Sequence, residues 1–137
     1  MKKYTQADFD NFEVDEYGHK ICPVGDYTAI KGFDEGCRFD AWCIFGEGCG
    51  FGEGCSFGAY CYFGKGCGFG EGCSFGEGCS FGEWCIFGEQ CSFGEGCSFG
   101  EGCSFSKGCS YENGAVKNGR YVAVDRIGSE NRKAYFT

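Results

Sequence analysis

The sequence predicts an all-β fold: a single-stranded, triangular β-helix of 18 residues per coil, with a short helical N-terminal cap and a β-rich C-terminal tail. Three observations carry this. Cysteine recurs every six residues, thirteen times without a miss, from Cys37 to Cys109. Phenylalanine keeps the same period from Phe33 to Phe105, and Tyr111 takes the next place. Residues 41–58 and 59–76 repeat one 18-residue phrase with only three differences. A fixed short period marks a solenoid, and an 18-residue echo of a six-residue unit fits three units per turn. Two units per turn, a flat coil of twelve residues, is the alternative, and bulky rings on both walls would crowd it.

Residues 1–32 lie outside the repeat. Thr5 followed by Asp8 reads as a variant capping box that opens a short helix, and Ala7, Phe9, Phe12 and Val14 supply its apolar face. Ile21-Cys22-Pro23 and the turn Val24-Gly25-Asp26 lead into Tyr27 and Ile30. Residues 1–20 are expected to cover the open end of the solenoid; a loosely ordered arm is the alternative.

Residues 33–111 form the array, and its unit is Cys-Ser-Phe-Gly-Glu-Gly. Side chains alternate along a strand, so Cys and Phe share one face and Ser points away. Gly-Glu-Gly then turns the corner, because glycine tolerates the backbone angles of a sharp bend. Cys and Phe therefore point into the tube, and Ser and Glu point out. Three units per turn place Cys55, Cys73 and Cys91 in one ladder and Phe57, Phe75 and Phe93 in another. Neighbours in a ladder are separated by the strand spacing of about 4.8 Å. A disulfide needs Cβ atoms at about 3.8 Å, so free thiols acting as small hydrophobes are expected. Disulfides along the stack are the alternative.

Residues 112–137 drop the repeat. Tyr121-Val122-Ala123-Val124 reads as a strand, Ser129-Glu130-Asn131 as a turn and Ala134-Tyr135-Phe136 as a second strand. The sequence stops on that apolar strand, which suggests a truncated domain or a strand that pairs with another molecule.

Composition narrows the function classes. The chain has 137 residues with 27 Gly, one Pro and 19% aromatics. That excludes collagen and an ordinary disordered linker, and the aromatics need a packed interior. A net charge of −8 argues against nucleic acid, whose phosphates require Lys and Arg. No long apolar run points to a membrane, and residues 1–8 lack the apolar core of a signal peptide. Fourteen cysteines suit a secreted disulfide scaffold, but their regular spacing and the missing signal favour reduced thiols in a reducing cytoplasm. Assembly on a virion or outside the cell is the other compartment considered.

The unit Phe-Gly-x-Gly-Cys-Ser resembles the hexapeptide repeat of left-handed β-helix proteins, with Phe in place of the aliphatic residue and Cys at the small inward position. The likeness covers residues 33–111 and is the sole source for the left hand of the winding. The sequence is also similar to Cys/Phe-rich hexapeptide proteins of bacteriophages and gut bacteria. Hexapeptide-repeat proteins are often acyltransferases with a catalytic histidine on the helix surface or on an excursion from it. This chain has one histidine, His19, before the array, and no loop interrupts residues 37–109. No phosphate loop or nucleophile–base pair is present, and the cysteines lack the paired spacing of zinc sites. No catalytic residue, cofactor, metal or small-molecule substrate is expected.

The outward residues carry the sharper signal. Trp42, Ile44, Tyr60 and Tyr62 replace Gly or Ser at corner and outward positions, and the coil length stacks Trp42 on Tyr60 and Ile44 on Tyr62. Trp84 and Ile86 form a second such group on the adjacent face. Exposed apolar patches mark contact surfaces. Corner glutamates form columns, Glu53, Glu71 and Glu89 in one and Glu77 and Glu95 in another, relieved by Lys65 between Glu47 and Glu83 and by Lys107 above Glu89. A solvated face is preferred to calcium capture. Residues 1–32 carry six acids and four bases, and residues 112–137 carry three acids and five bases, a polarity that suits head-to-tail stacking into filaments. The sequence thus points to a non-enzymatic structural protein, a homo-oligomer or filament. An acyltransferase-like enzyme is the first alternative and an ice-binding protein the second, although the coils contain no Thr.

Overall fold

In the computed structural model the chain winds as a parallel β-solenoid of about five turns, preceded by a short helix. Residues 1–112 and the strand segments Val116–Lys117, Arg120–Ala123 and Tyr135–Phe136 are described. Three parallel sheets form the walls. The first face stacks Lys20–Cys22, Cys37–Phe39, Ser56–Phe57, Ser74–Phe75, Ser92–Phe93 and Ser110–Tyr111. The second stacks Ile44–Phe45, Tyr62–Phe63, Ser80–Phe81 and Ser98–Phe99 and continues into the three tail strands. The third stacks Gly32–Phe33, Gly50–Phe51, Gly68–Phe69, Ile86–Phe87 and Ser104–Phe105. Ser56 pairs with Ser74, and Ser74 with Ser92, so the coil is 18 residues and a twelve-residue winding is excluded.

The lumen contains Cys and Phe and, among the described residues, no buried polar or charged side chain. Within a column the rings stack: Phe57 and Phe75 have centroids 4.9 Å apart and planes 3° from parallel. Between columns they meet edge to face, as Phe57 and Phe63 do at 5.0 Å and 86°. Aromatic quadrupoles favour offset stacks and edge-to-face pairs, and this lattice supplies both around every coil.

The consensus unit contains two glycines with different duties. The glycine after Phe presses on the coil below: a Cβ on Gly76 would lie 2.7 Å from the Ala59 nitrogen, and one on Gly58 2.5 Å from the Ala41 nitrogen. This position is glycine from Gly46 to Gly100, and Asp34, Asp40 and Ser106 occupy it only at the two ends of the array. The second glycine, before Cys, turns the corner with a left-handed backbone; Gly72 has φ of +73°.

The lower end is closed as expected, with two corrections. Thr5 and Asp8 form a reciprocal capping box on the helix Gln6–Asp10. Phe9 is buried against Phe33, and Phe12 packs partly buried on Tyr4. Ala7 and Val14, expected on the same apolar face, are not buried there: Val14 is exposed, and Ala7 lies on the outer side of the helix. The helix ends after five residues, and Val14 instead pairs antiparallel with Lys20 beneath the first face. The second face is closed by Lys3, which pairs with Asp26 under Ile44. Rings without the repeat extend the lumen downward: Tyr27 stacks under Phe45 at 5.5 Å, and Tyr4 under Tyr27 at 5.2 Å.

At the upper end Val116–Lys117 adds in parallel to Ser98–Phe99, and Arg120–Ala123 and Tyr135–Phe136 follow antiparallel. Both expected tail strands are present, and the expected turn at 129–131 lies outside the described residues.

Candidate functional site

The inward thiols are the most numerous reactive groups in the chain. All fourteen cysteines are free. The Cys73 sulfur lies 3.4 Å from the Gly52 carbonyl, three residues upstream on the coil below, and the contact repeats from Cys55 to Cys109. Each thiol thus satisfies a carbonyl turned toward the lumen. Hydrogen bonds from the Cys55 thiol below and the Cys91 thiol above, and then burial, raise the Cys73 thiol, whereas contacts of the same kind lower Cys55 and Cys91; burial acts on all three in the direction of the neutral thiol. A thiolate here would be a buried anion, costly without a partner, and no buried cationic side chain is present among the described residues. The ladders fill the lumen, and nearly all of their thiols are buried from solvent.

His19 sits at the foot of a groove of about 400 Å³ along one corner, lined by Tyr17, Glu35, Glu53 and Glu71. Its Nδ1 lies 3.6 Å from Asp15 Oδ2, and its backbone N–H donates to Asp15 Oδ1 at 2.9 Å. That backbone bond is the main reason the Asp15 carboxyl is held below its ordinary range. The groove has no serine, cysteine or lysine in its wall. Among the described residues no group of His, Cys, Asp and Glu side chains is arranged to hold a metal ion.

The outward aromatics are brought together as the 18-residue coil requires. The Trp42 indole stacks on the Tyr60 ring, with centroids 4.7 Å apart and planes 21° from parallel. Tyr60 in turn lies under Gly78, where an added Cβ would approach its ring to 2.4 Å. Ile44 and Tyr62 are register partners on the adjoining second face. All four are exposed, Trp42 by 60% and Tyr62 by 49%. Beside them Ala41 and Ala59 stand where Glu77 and Glu95 stand on the coils above, so the glutamate column is interrupted here and the exposed Asp40 is the acid next to the rings. Trp84 and Ile86 are separate, each 60% exposed: the Trp84 ring lies under Gly102, and Ile86 stands on the third face.

The structure adds a feature the spacing alone did not reveal. Trp42, Tyr60, Trp84 and Gln90 all hold a left-handed backbone, with φ between 61° and 70°, at the corner position that is otherwise glycine. An L-residue there costs roughly 1–2 kcal/mol. The signal was legible as the replacement of a regularly placed glycine, but the angle itself needed the corner geometry.

The other flank of the second face is a groove of about 480 Å³ lined by Lys31, Glu47, Gly48, Lys65, Gly66 and Trp84. Lys31 donates from Nζ to the Glu47 carbonyl oxygen at 2.7 Å. Among the described residues Lys65 closes no side-chain hydrogen bond or ion pair.

A family model for RNA-binding, Nab2-type zinc fingers matches residues 36–52 and 90–106. Both segments lie inside the coil. Their cysteines, Cys37, Cys43 and Cys49 in the first, belong to three different walls, and each donates to a backbone carbonyl. The sole histidine, His19, lies outside both segments. In both segments the geometry is that of a packed lumen. No curated protein and no solved structure matches the chain.

Proposed function

We propose that this protein is a non-enzymatic structural rod that associates with further copies of itself through the ring-bearing edge of its second face. The observation that carries the reading is the left-handed backbone of Trp42 and Tyr60. Glycine at both corners would relieve the strain and leave the lumen untouched, and strained residues mark sites where the side chain has a use. The charge pattern supports a like partner. A chain of net charge −8 repels its own copies over most of its surface, and Ala41 and Ala59 remove the glutamates just where the rings stand. Side contact is preferred to a head-to-tail stack because Val14 and Lys3 already cover the lowest rungs of two faces.

The test is particle mass against concentration for the wild type and for the double variant Trp42→Gly/Tyr60→Gly. The wild type is expected to grow in mass with concentration, and the variant to stay monomeric with a melting temperature at least as high. A wild type that remains monomeric throughout overturns the reading.

A further inference from the structure

The corner that flanks the second face opposite the ring-bearing corner carries charges of both signs. Rising coil by coil it reads Ala29, Glu47, Lys65, Glu83 and then Glu101, with the Lys31 side chain, from two residues beyond Ala29, reaching this corner. Lys31, Glu47 and Lys65 line one groove with Gly48, Gly66 and Trp84, and the Lys31 ammonium donates to the Glu47 carbonyl. The Glu47–Lys65 step is self-complementary under one operation: reversal of direction about a point midway between the two coils.

We infer that two copies join antiparallel, second face to second face, about a two-fold axis perpendicular to the rod at that height. The inference rests on self-association through the ring-bearing edge and adds its geometry. A two-fold axis in the contact plane, perpendicular to the rod, sets each corner against its own counterpart and inverts the order of the coils. Glu47 then faces Lys65 of the second copy, and Lys65 faces its Glu47. Ala29 faces Glu83 of the second copy, and the Lys31 ammonium, held at this corner by the Glu47 carbonyl, is the cation on the same side as that carboxylate and the exposed Trp84 ring beside it. At the other corner Trp42 faces Tyr60 of the second copy, and Ala41 faces Ala59. Between the corners, Ile44 faces Tyr62. At the ring-bearing corner and between the corners apolar group meets apolar group, and Glu47 and Lys65 each meet the opposite charge.

The competing arrangement has parallel rods about an axis along their length. It sets one corner against the other, so that Glu77 faces Glu83 and Glu95 faces Glu101, and it leaves Lys65 opposite Ala59. Like-charge opposition disfavours it. Four coils span about 19 Å of rod at the strand spacing, so the contact lies at the small end of specific interfaces.

Charge-reversal variants assayed by sedimentation at low salt test the geometry. Glu47→Lys alone sets two ammonium groups against each other across the contact, and Lys65→Glu alone sets two carboxylates against each other. Each is expected to weaken self-association about tenfold. Mixed one to one, these two variants restore an ammonium opposite a carboxylate wherever unlike chains meet in the substituted register, and heterodimers form more tightly than either variant's homodimer. The double variant Glu47→Lys/Lys65→Glu is complementary to itself and dimerises alone at wild-type strength, which also shows that the substituted corner folds. Single variants that associate like the wild type, or a double variant that stays monomeric, overturn the two-fold while leaving ring-mediated association in place. A wild type that is monomeric at every concentration overturns both.

Discussion

The Trp42 indole rests on the Tyr60 ring with centroids 4.7 Å apart, and both residues hold the backbone in the left-handed region, at φ of 70° and 61°. Gln90 occupies the same type of corner, at φ of 62°, without a ring to stack. It therefore isolates the backbone cost from any contact the side chain makes outside the rod. Gln90→Gly is expected to stabilise the fold by about 1 kcal/mol, read as a higher midpoint of chemical unfolding. A drop in the midpoint would show that the corner angle carries no strain.

The glycine after each Phe is a steric requirement. Gly76→Ala drives a Cβ to 2.7 Å from the Ala59 nitrogen, and the coils must part to accept it. A loss of about 1–3 kcal/mol is expected, as for other overpacked cores. Gly50→Ala is the control, because no atom lies within 4 Å of its Cβ position. It is expected to change stability by less than about 0.5 kcal/mol. Equal effects at the two sites would contradict the close approach.

Much of this was legible beforehand because the repeat is so regular. The period of Cys and Phe fixed the inward residues, and the near-identity of 41–58 and 59–76 placed Trp42 beside Tyr60 and Ile44 beside Tyr62. The capping box at Thr5 and Asp8 was readable as a local motif. Other features were not, because they depend on how coils meet rather than on any one strand. The thiol-to-carbonyl contact joins Cys73 to Gly52, 21 residues away and on the coil below. The place of Tyr27 and Tyr4 beneath Phe45 comes from residues that lack the repeat. Val14 looked like part of a helical face, but the helix ends at Asp10 and the next residues turn back to pair with Lys20 instead.

The thiol ladder makes its own demand. The Cys73 sulfur reaches the Gly52 carbonyl at 3.4 Å through long carbon–sulfur bonds. A serine hydroxyl, held closer to the backbone, would be buried short of that acceptor. Cys73→Ser is expected to cost about 1–3 kcal/mol, more than Cys73→Ala, when the two are compared by urea midpoints. A serine variant as stable as the alanine variant would count against the apolar lumen.

Acid should loosen the lower end first. Asp26 accepts from the Thr28 hydroxyl at 2.6 Å and from the Thr28 N–H at 2.8 Å, and these bonds hold its carboxyl below the ordinary value of 3.8. The carboxyls of Asp8 and Asp15 are lowered as well, chiefly by the backbone N–H groups of Thr5 and His19. A carboxylate lowered on folding contributes stability that is fully present above its unfolded value and is lost as pH falls through the folded one. Melting temperatures are therefore expected to fall below about pH 4, and Asp26→Asn is expected to lower stability at pH 7 and flatten the acid limb. An acid limb unchanged in that variant would remove Asp26 from the set of groups responsible.

Counting reactive sulfhydryls before and after unfolding, with no reductant present, addresses the filled lumen most directly. Thirteen of the fourteen cysteines are buried, and Cys103 is partly so. At most one readily reactive group is expected in the native rod and all fourteen once denaturant opens it. Rapid reaction of many groups in the native state, or a shortfall after denaturation, would contradict a lumen packed with free thiols.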